Sequence, residues 1–343
     1  MLGGFLALLS AATFAFETAT ARRGVLTATV AQALSITVPL GVPIFFVVAA
    51  AFGALGTVLG FSTEAIVYLA LAGVLHFVWG RYCNYRASKA MGANLVAPVQ
   101  QCNMLVTLGL AIWILGEHLT PLRVLGIGLV VLGPALTYDR KRGKTSEAKA
   151  SDTKPTDTIA GAPIETETRK LFQPNYAEGY LFALLSSTGY GISPVLVRLA
   201  LENKGLESSL GGGLISYTAA TLAFALILLL PGQWSHVRAL DRGAAKWFAI
   251  SGVCVCFAQM LRYMALVLAP VSVVTPIQRL SLVFRLYFSR IINPEHEVFG
   301  GRIVLATIVS LAGALALSAS TELVQSVVPL PDWAKTFLNW HWP

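Results

Sequence analysis

Apolar runs of 18 or more residues recur from one end of this chain to the other, and they decide what it can fold into. Ten are legible: 2–20, 26–51, 64–85, 92–115, 121–138, 177–199, 212–231, 244–268, 270–292 and 299–320. A run of that length matches the hydrocarbon thickness of a bilayer when wound as a helix. Backbone N–H and C=O groups find no water there, so open sheets are excluded and the expected fold is an all-α membrane protein. Composition agrees. Mean hydropathy is +0.68 and only 12% of residues are charged, against roughly 25% in a soluble domain. The first run lacks a basic lead-in and is followed by Glu17 and Arg22, so it reads as a retained span rather than a cleaved signal.

The runs are not independent. At a fixed offset of 178 residues, Tyr85 meets Tyr263, Ala87 meets Ala265, Val96 meets Val274, Pro98 meets Pro276 and Gln100 meets Gln278. Glu117-His118 meets Glu295-His296 at the same offset. Ungapped identities of this kind indicate a duplicated unit. The expected organisation is a five-helix repeat over 1–138 and a second over 177–320. A polar stretch at 139–176, rich in Lys, Thr, Ser, Glu and Pro, reads as a flexible linker. The tail 321–343 carries Trp333, Trp340 and Trp342 with Lys335, a composition suited to the headgroup level.

A net charge of +8 would suggest nucleic acid in a soluble protein, but here loop charge explains it and no nucleic-acid partner is expected. Connections after the odd-numbered runs, the linker included, hold 18 Lys and Arg, among them Arg22, Arg81, Arg86 and Lys89. Connections after the even-numbered runs hold four: Arg123, Arg198, Lys204 and Arg262. The odd connections are therefore expected in the cytoplasm and both termini outside. Five spans per half force equivalent helices to run in opposite directions, which predicts two inverted-topology repeats, an architecture of secondary transporters.

With ten helices in two halves, "LGEHLTP" at 115–121 and the glycine-rich "LGIGLVVLG" at 125–133, the chain resembles the drug/metabolite transporter superfamily, in its EamA-like branch. The resemblance covers roughly 1–138 and 177–320. The second half departs from it, with "NPEHEVFGG" in place of the first hairpin's turn. The resemblance implies transport of small metabolites such as amino acids, drugs or sugar derivatives. It also implies cytoplasmic termini, against the charge count.

Polar groups inside the spans are costly and mark function. The fourth run carries Gln100, Asn103 and Thr107 on one helical face, and the ninth carries Gln278, Ser281 and Arg285 at the equivalent positions. These stripes are expected to face each other around a midplane cavity, with Pro98 and Pro276 freeing carbonyls beside it. Interhelical hydrogen bonding is the plainer reading of the same stripes. Arg279 and Arg285 are expected to be the most deeply placed charges, suited to an anionic or zwitterionic substrate such as an amino acid. His76 and Trp79 are candidates for an aromatic wall. Tyr85 and Tyr263 fit an interfacial belt. Glu17 fits either proton coupling or an ion pair with nearby Arg22 and Arg23, the latter favoured. Glu-His pairs at 117–118 and 295–296 read as helix caps, and Gly126, Gly128 and Gly133 as close-packing positions. Four cysteines inside the runs suggest no disulfide framework, and no metal site or cofactor is expected.

The expectation is a non-enzymatic, multi-pass carrier of a bacterial inner (plasma) membrane. It moves a small-molecule substrate, outward, by alternating access between the fourth and ninth runs, with a proton or counter-substrate as partner. A divalent-cation channel of the same fold is the alternative. An intramembrane enzyme would need a nucleophile and base or a metal-ligand set, and no such motif is present.

Overall fold

The computed structural model describes residues 2–115, 120–137, 172–201, 204–268, 274, 277–318 and 331. Among these, every regular element is a helix. α1 (Leu2–Thr27) runs seven residues beyond its expected end and so takes Arg22 into the helix. The second run divides into α2 (Val30–Thr37) and α3 (Gly41–Ala51), followed by the short α4 (Leu55–Leu59). Thr29 and Gln32 open α2 with a reciprocal capping box. Pro39 supplies no N–H to the helical ladder, which accounts for the break before α3.

The third run is continuous from Thr63 to Met91. It comprises α5 (Thr63–Gly73), a π-helical stretch (Val74–Gly80) and α6 (Arg81–Met91). α7 (Ala93–Gln100), α8 (Asn103–Leu115) and α9 (Pro121–Thr137) follow. The second half contains α10 (Tyr176–Leu201), α11 (Leu206–Leu228), the short α12 (Gln233–Arg238), α13 (Arg242–Leu268), α14 (Ser281–Ile292) and α15 (Gly301–Ser318). Six helical stretches among the described residues are long and apolar enough to cross a bilayer: Leu2–Thr27, Val30–Ala51, Thr63–Met91, Tyr176–Leu201, Glu207–Leu228 and Arg242–Arg262. Pro121–Thr137 and Gly301–Leu317 are apolar but shorter.

Packing follows small residues. α1 lies along α13, and Ala7, Ala11 and Ala15 are fully buried on one face of α1. Residues this small let helix backbones approach closely. α10 lies along α5 and α6 in the same way, α9 pairs with α15, and α2 and α3 pack on α13 and α11. Gly126 and Gly133 pack against α15, whereas a side chain at Gly128 would meet nothing within 4 Å. Gly128 therefore has no close-packing role. Large apolar side chains such as Phe5, Val47, Leu181 and Leu226 point outward, as a lipid-facing surface requires.

The odd-numbered connections gather at one end of the bundle. Lys89 Nζ donates to the Ala28 carbonyl (2.8 Å), Gln32 Nε2 to that of His236 (2.9 Å), and the Asn175 N–H to that of Ala90 (2.9 Å). At the other end the Lys204 ammonium lies 4.4 Å from the Phe61 ring centroid.

Candidate functional site

The fourth run does not form one helix. It breaks at Gln101–Cys102, between α7 and α8. Past Pro98 the ladder tightens: the Gln101 N–H bonds the Pro98 carbonyl at 3.2 Å and the Cys102 N–H bonds that of Val99 at 3.0 Å. The Ala97 carbonyl, which the Gln101 N–H would reach in an unbroken helix, instead accepts from Gln101 Nε2 at 3.3 Å. In the second half a turn falls at Leu280, just before α14 and 178 residues after Cys102. Irregular backbone of this kind is sustainable in hydrocarbon only beside buried protein or a water-filled cavity.

Such a cavity is present. It measures about 450 Å³ and is lined from α1, the π-helical stretch and α6 to α10, α13 and α14. Its polar lining repeats the duplication. Arg81 and Gln259, Asn84 and Arg262, Gln100 and Gln278, Gln101 and Arg279, Asn103 and Ser281, and Thr107 and Arg285 all line it. Each pair is separated by 178 residues.

Three groups organise the deeper part. Gln100 Nε2 donates to Asn84 Oδ1 at 3.0 Å, and Arg285 Nη1 donates to Gln100 Oε1 at 3.3 Å. Glu17 is 8% exposed and accepts from the Tyr85 hydroxyl (3.3 Å), Ser251 Oγ (3.1 Å) and Thr18 Oγ1 (3.2 Å). Arg81 donates to the Thr37 carbonyl at 2.9 Å and holds its guanidinium 5.1 Å from the centre of the Phe77 ring.

The expected stripes therefore meet, through Arg285 and Gln100. Gln278 turns instead to Ser10 Oγ at 3.2 Å, and Thr107 donates to the Asn103 and Gly191 carbonyls at 3.1 and 2.8 Å. Asn103, Ser281, Arg279 and His76 also line the cavity, with the His76 ring centroid 4.6 Å from that of Tyr190. Trp79 does not: it is 45% exposed and donates Nε1 to the Leu185 carbonyl at 3.1 Å. The π-helical stretch turns it away from the face that His76 presents. Pro98 is buried within α7. Pro276, Glu117 and His118 lie outside the described residues, as does the side chain of Tyr263.

Several expectations are corrected. Arg81, counted with a connection, is 4% exposed and lines the cavity, because the third helix runs on to Met91. Arg81 and Arg22, at 4% and 1% exposure, are less accessible to solvent than Arg279 and Arg285. Arg123, Arg198 and Arg262, also counted with connections, line the cavity too. Tyr85 is 3% exposed and bonded to Glu17, so it is no belt residue.

Glu17 makes no pair with Arg22. Arg22 Nε pairs with Glu297 Oε1 at 3.1 Å, with both side chains fully buried. Its Nη2 donates to the His296 carbonyl at 2.8 Å. The 293–300 connection also reaches into the other half of the chain. Glu297 Oε1 and Oε2 accept from the N–H groups of Ala93 (2.7 Å) and Asn94 (2.9 Å), capping α7 from the other repeat. Gly92, at φ +89°, makes this possible, since a side chain there would come within 2.8 Å of Glu297 Oε2. These contacts tie α1, α7 and the 293–300 connection together at the basic end of the bundle. Glu297 was legible only as one residue past the repeated Glu-His pair.

The sequence matches the EamA-like transporter family over residues 1–138 and 177–319. No curated protein matches it. A solved crystal structure of a protein aligns over 92% of this chain and 94% of its own, at 18% identity and a TM-score of 0.46. The family match spans nearly the whole chain and agrees with the apolar helices. This multi-pass membrane protein belongs to the EamA-like transporter family, within the drug/metabolite transporter superfamily.

Proposed function

We propose that the protein is a secondary carrier of a small organic metabolite, anionic or zwitterionic, that works outward by alternating access at the cavity between α7–α8 and α14. The observation that carries this reading is the lining: six pairs of residues related by the 178-residue offset converge on one cavity. A carrier built from two inverted five-helix repeats places its substrate at that interface. Contacts between helices support such a symmetry. Exchanging the halves turns the α1–α13 pairing into that of α10 with α5 and α6. In this reading ten spans form repeats over 1–138 and 177–320, joined by the linker 139–176, in a bacterial inner membrane with the basic end in the cytoplasm.

The Arg22–Glu297 pair and the capped start of α7 close the cytoplasmic end, so the cavity faces outward. Rocking one repeat against the other would part these contacts and expose Gln100 and Arg285 to the other side. Glu17 is the candidate for proton coupling, being the acidic group among the described lining residues. Arginines in the lining disfavour a cation channel, since they repel the ion such a pore must admit. Counterflow in vesicles containing purified protein tests the reading. Loading them with a mixed metabolite extract should drive accumulation of the labelled species the carrier accepts. Equal retention in protein-free vesicles would reject it.

A further inference from the structure

Resting on the carrier reading above, we infer that the cargo is a small organic dianion, two negative charges on a short carbon skeleton, rather than an amino acid. Six guanidinium groups line the cavity: Arg81, Arg123, Arg198, Arg262, Arg279 and Arg285. Against them stands Glu17, the sole carboxylate among the described lining residues. The described lining therefore carries a surplus of positive charge among apolar helices, where uncompensated charge is costly. A monoanion would leave more than one guanidinium uncompensated, and a zwitterion would relieve none of the surplus.

Two further observations point the same way. Arg279 Nε and Arg285 Nε are buried with no hydrogen-bond partner, donors that an anionic oxygen would satisfy. Glu17, the group that would have to receive an ammonium, is already occupied. Its two oxygens accept from the hydroxyls of Tyr85, Ser251 and Thr18. The cationic member of each pair also has an uncharged partner in the other repeat: Arg279 opposite Gln101, and Arg285 opposite Thr107. The positive field thus comes from particular side chains and not from the shared scaffold. At about 450 Å³ the cavity suits a compact molecule. Dicarboxylates and phosphate monoesters share the required chemistry, and the test separates them.

The full-length protein, purified in detergent, is melted with succinate, glycerol phosphate, alanine or glycerol at matched ionic strength. At least one of the two dianions should raise the midpoint and bind at least about tenfold more tightly than alanine. Which one does so identifies the carboxylate or phosphate form. Arg279→Gln, which installs the residue of the equivalent position, should weaken that binding about tenfold while the ligand-free midpoint holds. Should it fail to fold, Arg279→Lys, which keeps the charge, should retain binding within about threefold and lose only the fork geometry. Alanine binding as tightly as both dianions, or undiminished dianion binding in Arg279→Gln, overturns the inference. Binding is read in detergent and flux across vesicles, so the two readings fail separately. Dianion binding without flux would reject the carrier alone, and flux of other solutes without dianion binding would reject the dianion alone.

Discussion

Arg285 Nη1 donates to Gln100 Oε1 at 3.3 Å, across 185 residues of sequence and between the two repeats. Gln100 also donates to Asn84, so this amide links α6, α7 and α14 in the interior. A charge-assisted bond between the two halves of the chain reports directly on their coupling.

Removing the amide tests that coupling. Gln100→Leu, Arg285→Thr and the double variant should show an interaction energy of about 1–2 kcal/mol in a double-mutant cycle on melting. Additive effects would mean that the bond does not join the halves.

The Arg22–Glu297 pair should behave as a buried ion pair whose single loss is severe. Glu297→Ala should destabilise by about 3–5 kcal/mol, because it leaves a buried guanidinium uncompensated. Arg22→Met combined with Glu297→Gln should recover more than half of that, as chemical denaturation would show. A double variant no better than Glu297→Ala would assign the whole effect to the α7 cap.

Gly92 carries a separate burden. Gly92→Ala must hold φ at +89° and press on Glu297, so we expect a loss of about 1–3 kcal/mol. A melting midpoint equal to wild type would show that the connection relaxes freely.

Glu17→Gln keeps the shape and the hydroxyl contacts but removes the titratable proton. Uptake driven by a pH gradient should vanish while counterflow at uniform pH persists. Retained pH-driven uptake would remove Glu17 from any coupling role.

Trp79→Phe should leave binding and flux unchanged. Its indole N–H bonds the Leu185 carbonyl outside the cavity, so the cost is one partly exposed hydrogen bond, about 0.5–1.5 kcal/mol. A flux defect larger than the stability defect would place Trp79 on the pathway.

Much of this arrangement was legible in the sequence because hydrocarbon leaves few options. The apolar runs announced helices, and the 178-residue offset announced which side chains would share a cavity. Gln100, Asn103, Thr107, Gln278, Ser281, Arg279 and Arg285 all line it. What failed was depth. Span ends inferred from hydropathy stopped α1 before Arg22 and left Arg81 near a connection, because a charged residue lowers local hydropathy even where a partner buries it. Glu297 was overlooked for a related reason: its partners, Arg22 and the α7 N–H groups, lie more than 200 residues away. Trp79 was misplaced because helical spacing from His76 assumed regular turns, and the chain there is π-helical.

The decisive experiment puts a reporter in the cavity itself. With the four native cysteines replaced, Ser281→Cys gives one thiol on the lining of α14, and counterflow in vesicles is followed before and after a bulky thiol reagent. We predict that modification stops flux in Ser281→Cys while the cysteine-free parent continues unchanged, and that excess substrate slows the reaction. Full modification with flux intact would show that cargo does not pass this way.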